Sequence, residues 1–417
     1  MTDLPARLRQ QIAGAIGADR PDRLGVAVSG GSDSLALLTL LNDWRATGGP
    51  DLHAVTVDHG LRPEAAEEAR MVGNLCEGWT IPHTTLHWTD WDGTGNLPDA
   101  ARRARYRLMA EWAMETGIPA IAVAHTADDQ AETFLMRLSR AAGLDGLSAM
   151  APRWQQGGIT FLRPVLNAAR EDLREVLRAR GITWADDPTN ADPAYERVRA
   201  RQVLETLAPL GIEAATLAEV AGNLADARHV IDGQVAFAAR NVARIEAGDV
   251  LVDRTALARI EPEITRRLLQ KAILWISGAD YPPRGLALKR LMRAIDAGDS
   301  ATLHGCRFIT RADSLRITRE EQAVAGITAH PGEIWDGRWR LSGPETRNAV
   351  IAALGENGLR HCPDRRYSAL PAASLRASPA VWQGQTLLAA PLAKLDNGWT
   401  AELVRRENHD FAALISH

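Results

Sequence analysis

The 417-residue sequence has three cysteines, Cys76, Cys306 and Cys362, and no CxxC pair. That excludes a disulfide framework and a cysteine-built zinc site, and a reducing cytoplasm is the expected location. No apolar run approaches the ~18 residues a membrane span needs, so no membrane is expected as a partner. The opening segment, MTDLPARLRQQIAGAI, carries charge in its first turns and lacks a small-residue cleavage pattern, which is unlike a secretory leader. Lysine is scarce. Lys271, Lys289 and Lys394 are the whole supply, so 45 of the 48 basic residues are arginine. Arginine suits bidentate phosphate contacts and stacking on bases, although GC-rich codon usage favours it equally. The placement of the arginines therefore means more than their number. There is no Gly-Lys-Ser/Thr, which excludes a Walker A loop. Low-complexity tracts and fixed-period repeats are also missing.

What remains is ordinary for a soluble globular chain: 46% hydrophobic and 24% charged residues. A net charge of −4 decides nothing about nucleic acid. The length suggests about three domains at roughly 150 residues each. Over the first two hundred residues, short apolar runs alternate with helical patterns. Leu24–Val28, Ala54–Val57, Ile81–Trp88 and Ala120–Ala124 read as strands. Helices are expected around Leu35–Leu41, Pro63–Cys76, Leu97–Met114 and Ala127–Ala141. This grammar predicts a doubly wound parallel α/β sheet. Residues 213–297 read as helical, a strand-like tail begins near Thr302, and the last ninety residues, rich in Gly, Pro and Trp, read as a small α+β domain. The expected boundaries are 1–205, 206–326 and 327–417.

The sharpest local pattern is Ser29-Gly30-Gly31-Ser32-Asp33-Ser34, after a strand and at the start of a helix. Glycines let backbone approach an anion, and a helix N-terminus offers unpaired N–H groups and partial positive charge. The pattern resembles the PP-loop of the ATP pyrophosphatases, which adenylate a substrate. ATP is thus expected on residues 29–34. Asp33 is a candidate for carrying Mg2+ or orienting pyrophosphate, or is simply a carboxylate on the helix dipole. Asp58, His59 and Arg62 lie at the end of the second strand, where open α/β sheets bind ligands. His125 ends the fourth strand. Asp129 and Glu132 follow it three apart and share one helix face, suiting a cationic amine or a metal. The plainer alternatives are a solvated helix face or a simple N-terminal cap.

These pieces, with AARRARY (100–106), GLDGLSAM (143–150), RPVL (163–166), DDPTN (186–190) and RVRAR (197–201), fall in the order seen in the tRNA(Ile)-lysidine synthetase family, which the chain resembles over about 320 residues. It departs at Thr126, where the family usually has a second histidine, at Ala141-Ala142 and at Val198. The resemblance implies ATP-dependent conversion of the wobble cytidine of a tRNA(Ile) reading CAU to lysidine, through an adenylated base. It implies catalytic roles for Asp33, Arg102, Arg105 and His125, and lysine binding by Asp129 and Glu132. Arg197, Arg199 and Arg201, with Arg284, Lys289, Arg290 and Arg293, are the candidate tRNA contacts. Residues 197, 199 and 201 do not share one helix face, so at least one of them is expected to pair within the chain. The implied partners are the tRNA and L-lysine, with a homodimer left open. The competing readings are a PP-loop thiolase, which would need reactive or cluster-binding cysteines, an amidotransferase-coupled synthetase, which would need a glutaminase domain, and a non-catalytic ATP- or tRNA-binding module.

Overall fold

A computed structural model describes residues 3–17, 20–60, 64–91, 93–186, 195–279 and 281–404. The chain divides into two compact units, Met1–Arg228 and His229–His417. Among the described residues, no helix is long and apolar enough to cross a membrane.

The first unit runs α1 (Leu4–Ile16), β1 (Arg23–Ala27), α2 (Ser32–Arg45), β2 (Asp51–Asp58), α3 (Ala65–Gly78), β3 (His83–His87), α4 (Leu97–Thr116), β4 (Ala120–Ala122), α5 (Ala127–Leu138) and α6 (Leu144–Leu147). It continues through β5 (Arg153–Gln156), β6 (Ile159–Leu162), α7 (Arg170–Arg178), α8 (Glu196–Leu207) and the start of α9 (Ala214–Val242). The six strands are ordered β3-β2-β1-β4-β6-β5. All neighbours are parallel except β5, which closes the edge as an antiparallel hairpin with β6. The expected parallel sheet is present. The strands are short apolar runs because both faces are covered. Leu8, Ile12, Leu37, Val72, Leu173 and Val176 pack on one face, and Tyr106, Met109, Trp112 and Phe161 on the other. Strand order reverses between β1 and β4, so the crevice beyond their carboxyl ends is the natural ligand position. Both the Ser29–Ser34 loop and the His125–Glu132 segment leave from those two ends.

An aromatic slab lies under α4. Phe161, fully buried, stacks on Trp154 at 5.0 Å and meets Tyr106 edge-on at 5.3 Å. The slab supports two arginine-bearing segments described below.

The second unit departs from a purely helical reading of residues 213–297. A hairpin, β7 (Ala243–Glu246) and β8 (Asp249–Asp253), interrupts the helices. After α10 (Arg254–Leu257), α11 (Pro262–Ser277) and α12 (Gly285–Ala297), the strands β9 (Ala301–Leu303), β10 (Cys306–Thr310) and β11 (Ser314–Arg319) join it. Together they form a five-stranded antiparallel sheet, β7-β8-β11-β10-β9. Its core takes Val250, Val252, Phe308 and Ile317 against Leu268, Ile273 and Leu288. Within the last segment, residues 334–403 form two small three-stranded sheets around Trp335, Trp339, Leu341, Ile351, Val381 and Trp399, which agrees with an α+β tail. Val381–Leu388 is a hairpin, Pro379–Gln383 and Thr386–Ala389, turned at Gly384.

Phe161→Ala would remove the centre of the aromatic slab. The expected loss is about 3–5 kcal/mol, the usual cost of a large-to-small change in a closed core. Denaturant unfolding of the full chain measures it.

Candidate active site

Ser29–Ser34 crosses from β1 to α2. Gly30 has φ +87°, and a Cβ there would lie 3.3 Å from the Glu68 Cβ, so glycine serves both the turn and the clearance. The loop is braced by its own serines. The Ser29 N–H donates to Ser34 Oγ at 3.1 Å, and Ser34 Oγ donates to the Gly31 carbonyl at 3.0 Å. The Ala185 N–H donates to the Gly30 carbonyl at 3.0 Å and pins the loop from outside. Gly31 is the N-cap of α2 and supplies no side-chain acceptor, which leaves the first-turn N–H groups for an anion.

α5 begins with a reciprocal cap: Asp129 N–H donates to Thr126 Oγ1, while Thr126 N–H donates to Asp129 Oδ2 at 2.9 Å. Asp129 is therefore held rigidly, with Oδ1 turned toward a residue the sequence reading left out. That residue is Arg170, the first of α7. Its Nε donates to Asp33 Oδ2 at 2.9 Å, one terminal nitrogen reaches Asp129 Oδ1 at 3.2 Å, and the other reaches Glu132 Oε1 at 3.5 Å. Its backbone N–H donates to Asp128 Oδ2 at 2.8 Å. A cation at a helix N-terminus opposes the dipole by a few tenths to about 1 kcal/mol. Three carboxylates around one guanidinium offset that. Arg201, on α8, donates from Nε to Glu132 Oε1 at 2.5 Å. Glu132 is 1% exposed, yet its Oε2 is buried without a hydrogen-bond partner among the described residues.

Burial resists the charge on these groups. Asp33 is raised by desolvation, with Arg170 only partly opposing it. At Asp129 desolvation is outweighed by Arg170, His125 and the Thr126 N–H, and its carboxyl falls below the usual range. Arg170 is raised: desolvation works against its charge, and Asp129 and Asp33 more than compensate.

A second missed residue fixes His125. Arg163 follows β6, is nine-tenths buried, and lies 3.8 Å above the Trp154 ring. Its Nε donates to His125 Nδ1 at 3.1 Å. A guanidinium cannot accept, so Nδ1 is the acceptor and the imidazole carries its proton on Nε2. Burial pushes His125 down to about 3; Asp129 opposes this, and Arg163, Arg105 and Arg102 reinforce it. His125 is a neutral hydrogen-bond donor at working pH, and its Nδ1 is not available as a base.

The remaining candidates separate. On α4, Arg103 pairs with Asp99 at 2.6 Å, and Arg107 pairs with Asp90 at 2.6 Å and Glu111 at 3.1 Å. Arg102 and Arg105 instead lie over the Tyr106 ring at 5.4 and 5.1 Å. Their fields reach His125, and that of Arg105 also reaches His59. Asp58 Oδ1 accepts the Gly60 N–H at 2.8 Å and Oδ2 lies 3.6 Å from His87 Nδ1. His59 sits edge-on to Trp88, its Nδ1 buried and unpartnered among the described residues. Arg62 lies outside the described residues. Arg197 acts on Asp129 from α8, and Arg199 is exposed on the same helix. Arg284, Lys289, Arg290 and Arg293 are exposed at the start and along one side of α12, while Leu288, Leu291 and Ile295 face the core.

The cysteines are buried and unlinked. Desolvation pushes Cys76 up to about 11 and Cys306 up to about 12, and raises Cys362. Thiolate chemistry at these positions is disfavoured. Among the described residues, no group of three or more His, Cys, Asp or Glu is placed to hold a metal. Magnesium needs no such cage; it keeps waters and is commonly held by one or two carboxylates plus substrate phosphates. Asp33 lies at the mouth of an uncapped helix with Oδ2 on Arg170 and Oδ1 accepting from Ser32 Oγ at 3.0 Å, so a metal held there would replace one of these bonds.

The lowered His125 pKa has a defined sign. The folded state holds fewer protons than the unfolded chain below the ordinary value of 6.5, so stability falls as pH drops from about 6.5 toward about 3. Arg163→Met removes one repelling charge and should raise the His125 pKa. It should stay below 6.5, because burial is the larger cause. Histidine NMR titration of both proteins checks this, and the nitrogen shifts report the Nε2–H tautomer in the parent.

Comparison with known proteins gives the family of the chain. The PP-loop domain family matches residues 4–207. The tRNA(Ile)-lysidine synthase of Ruegeria pomeroyi is 49% identical over 415 residues, spanning 100% of this chain and 98% of that protein. The enzyme of the same name from a Bradyrhizobium species is 45% identical over 319 residues, covering 71% of this chain and 89% of its own length. Among solved structures, the U34-tRNA thiolase NcsA of Methanococcus maripaludis, with its [4Fe-4S] cluster, aligns with 53% of this chain and 79% of its own at 15% identity and a TM-score of 0.47. A phosphate-binding loop joined through Arg170 to a carboxylate pair, and full-length identity at this level, lead to one conclusion: this chain belongs to the tRNA(Ile)-lysidine synthase family.

Proposed function

We propose that the chain ligates lysine to C2 of the wobble cytidine of tRNA(Ile) with a CAU anticodon, using ATP and releasing AMP and pyrophosphate, in the bacterial cytoplasm. The cytosine O2 attacks the α-phosphate and pyrophosphate leaves. The amine of lysine then gives up its proton to a carboxylate of the Asp129–Glu132 pair and attacks C2, and AMP departs as the second leaving group. The observation that carries this reading is the Arg170 bridge, which sets the Asp129–Glu132 pair against the phosphate loop at Asp33.

The loop N–H groups of α2 hold the phosphates, and Arg102 and Arg105 steer the base and the charge developing on phosphate. Asp33 would hold Mg2+, which supplies neutralisation of phosphate charge when bound. His125 donates from Nε2 rather than acting as base. Asp33, Asp129 and Glu132 meet Arg170 and Arg201 directly, and Arg197 acts on Asp129 from α8. Glu132 Oε2, buried and without a hydrogen-bond partner among the described residues, supports a lysine ammonium as a further partner of the pair. The buried, high-pKa cysteines weigh against thiolation. The catalytic residues fall within 1–205. The exposed arginines of α8 and α12, and segments 206–326 and 327–417 more broadly, are assigned to tRNA binding. There the base must leave its stack while phosphate contacts hold the rest of the molecule.

Asp33→Ala should abolish adenylation and leave tRNA affinity within a few fold, as measured by pyrophosphate release and filter binding. Normal pyrophosphate release from this variant would remove Asp33 from the mechanism.

Glu132→Gln should raise the lysine requirement about tenfold to a hundredfold, the equivalent of one charge-assisted hydrogen bond of roughly 1.5–3 kcal/mol. ATP–pyrophosphate exchange on tRNA should stay largely intact. Equal loss in both half-reactions would falsify the lysine assignment. Mass spectrometry of the wobble nucleoside after incubation with tRNA(Ile), lysine and ATP tests the whole reaction.

A further inference from the structure

The carboxyl end of β3 carries a feature that the site above does not use. The Trp88 N–H donates to the Asp58 carbonyl at 2.9 Å, which extends β3 past the end of β2. The Trp88 ring stands edge-on to His59 at 5.7 Å, and Trp91 lies 6.2 Å beyond, tilted by 39°. Trp91 is 41% exposed. Its loop is tethered, because the neighbouring Asp90 is held by Arg107 of α4 at 2.6 Å. The same helix carries Arg105, whose field reaches both His59 and His125. Two indole rings thus lie together past the carboxyl end of β3, in a loop tied through Arg107 to the helix whose Arg105 acts on His59 beside Trp88.

We propose that Trp88 and Trp91 form a stacking platform for an unpaired base of the tRNA anticodon loop, a neighbour of the wobble cytidine. The inference rests on the reaction proposed above. A cytidine withdrawn from its stack leaves an adjacent base without a partner. An aromatic face next to cationic side chains is the general solution for holding such a base. Aromatic stacking tolerates any base, so the platform supplies affinity and register rather than sequence readout. The adenine of ATP is the other flat ring in the reaction. The anticodon loop is favoured because Trp91 is open to solvent and lies in the loop after β3, which β2 separates from β1 and its glycine-rich loop.

The test uses the full chain and an anticodon stem–loop carrying 2-aminopurine at one or the other neighbour of the wobble cytidine. Binding to the parent protein should quench the fluorophore at one of the two positions. Trp91→Ala should abolish that quenching and raise the KM for tRNA roughly five- to a hundredfold, with the KM for ATP and lysine unchanged. Trp91→Phe should restore most of the tRNA affinity, which a general folding defect would not allow. Unquenched fluorescence at both positions, or unchanged tRNA kinetics in Trp91→Ala, overturns the platform. A raised KM for ATP also overturns it, by assigning the rings to adenine. Lysidine formation by the parent protein is run alongside. Its absence would sink the proposed reaction, whereas its presence with an indifferent Trp91→Ala would sink only the platform.

Discussion

The Arg170 guanidinium is the interaction on which the catalytic unit turns. It touches Asp33 from α2 and Asp129 and Glu132 from α5, and its own N–H is held by Asp128. The N-terminal ends of α2, α5 and α7 therefore meet at one point. Each brings partial positive charge, and each brings carboxylates that answer it. Without a central cation, three acidic side chains would crowd the crevice beside the Ser29–Ser34 loop. With it, the phosphate end and the carboxylate end are parts of one rigid object, and a shift in either is felt by the other.

A second principle is the sorting of arginines. On α4 the outer pair, Arg103 and Arg107, is taken up by neighbouring carboxylates, and the inner pair rests on Tyr106. Arg163 is sunk against Trp154 and fixes a tautomer instead of binding phosphate. The slab of Tyr106, Trp154 and Phe161 underlies both groups. Packing in this aromatic layer thus sets the direction of charge in the site above it. That couples core stability to chemistry more tightly than a loop-borne site would.

Much of the first unit was legible because its strands are short, apolar and separated by amphipathic helices, so period and composition agree. The phosphate loop was legible because glycine and helix start have local causes. Arg170 and Arg163 were not. Arg170 meets partners 137, 41 and 38 positions away, and Arg163 meets His125 from 38 positions away. No window of sequence holds both halves of such a pair. One signal was available for Arg170: an arginine at the first position of a helix opposes the dipole and calls for a compensating acid. The β7–β8 hairpin was hidden differently. Its strands are four and five residues long, and its turn places Ala247 as well as Gly248 at positive φ. Alanine gives no warning of that conformation.

The scarcity of lysine has a chemical consequence for this unit. All three lysines of the chain lie beyond residue 228. The proposed reaction creates a base activated at C2, which any unprotonated primary amine would capture. Arginine, which stays protonated with a pKa above 12, is a poor nucleophile. Residues 1–228 can therefore surround the electrophile with positive charge and yet offer no side-chain amine to react with it. Within that unit, the enzyme's own side chains cannot become the product.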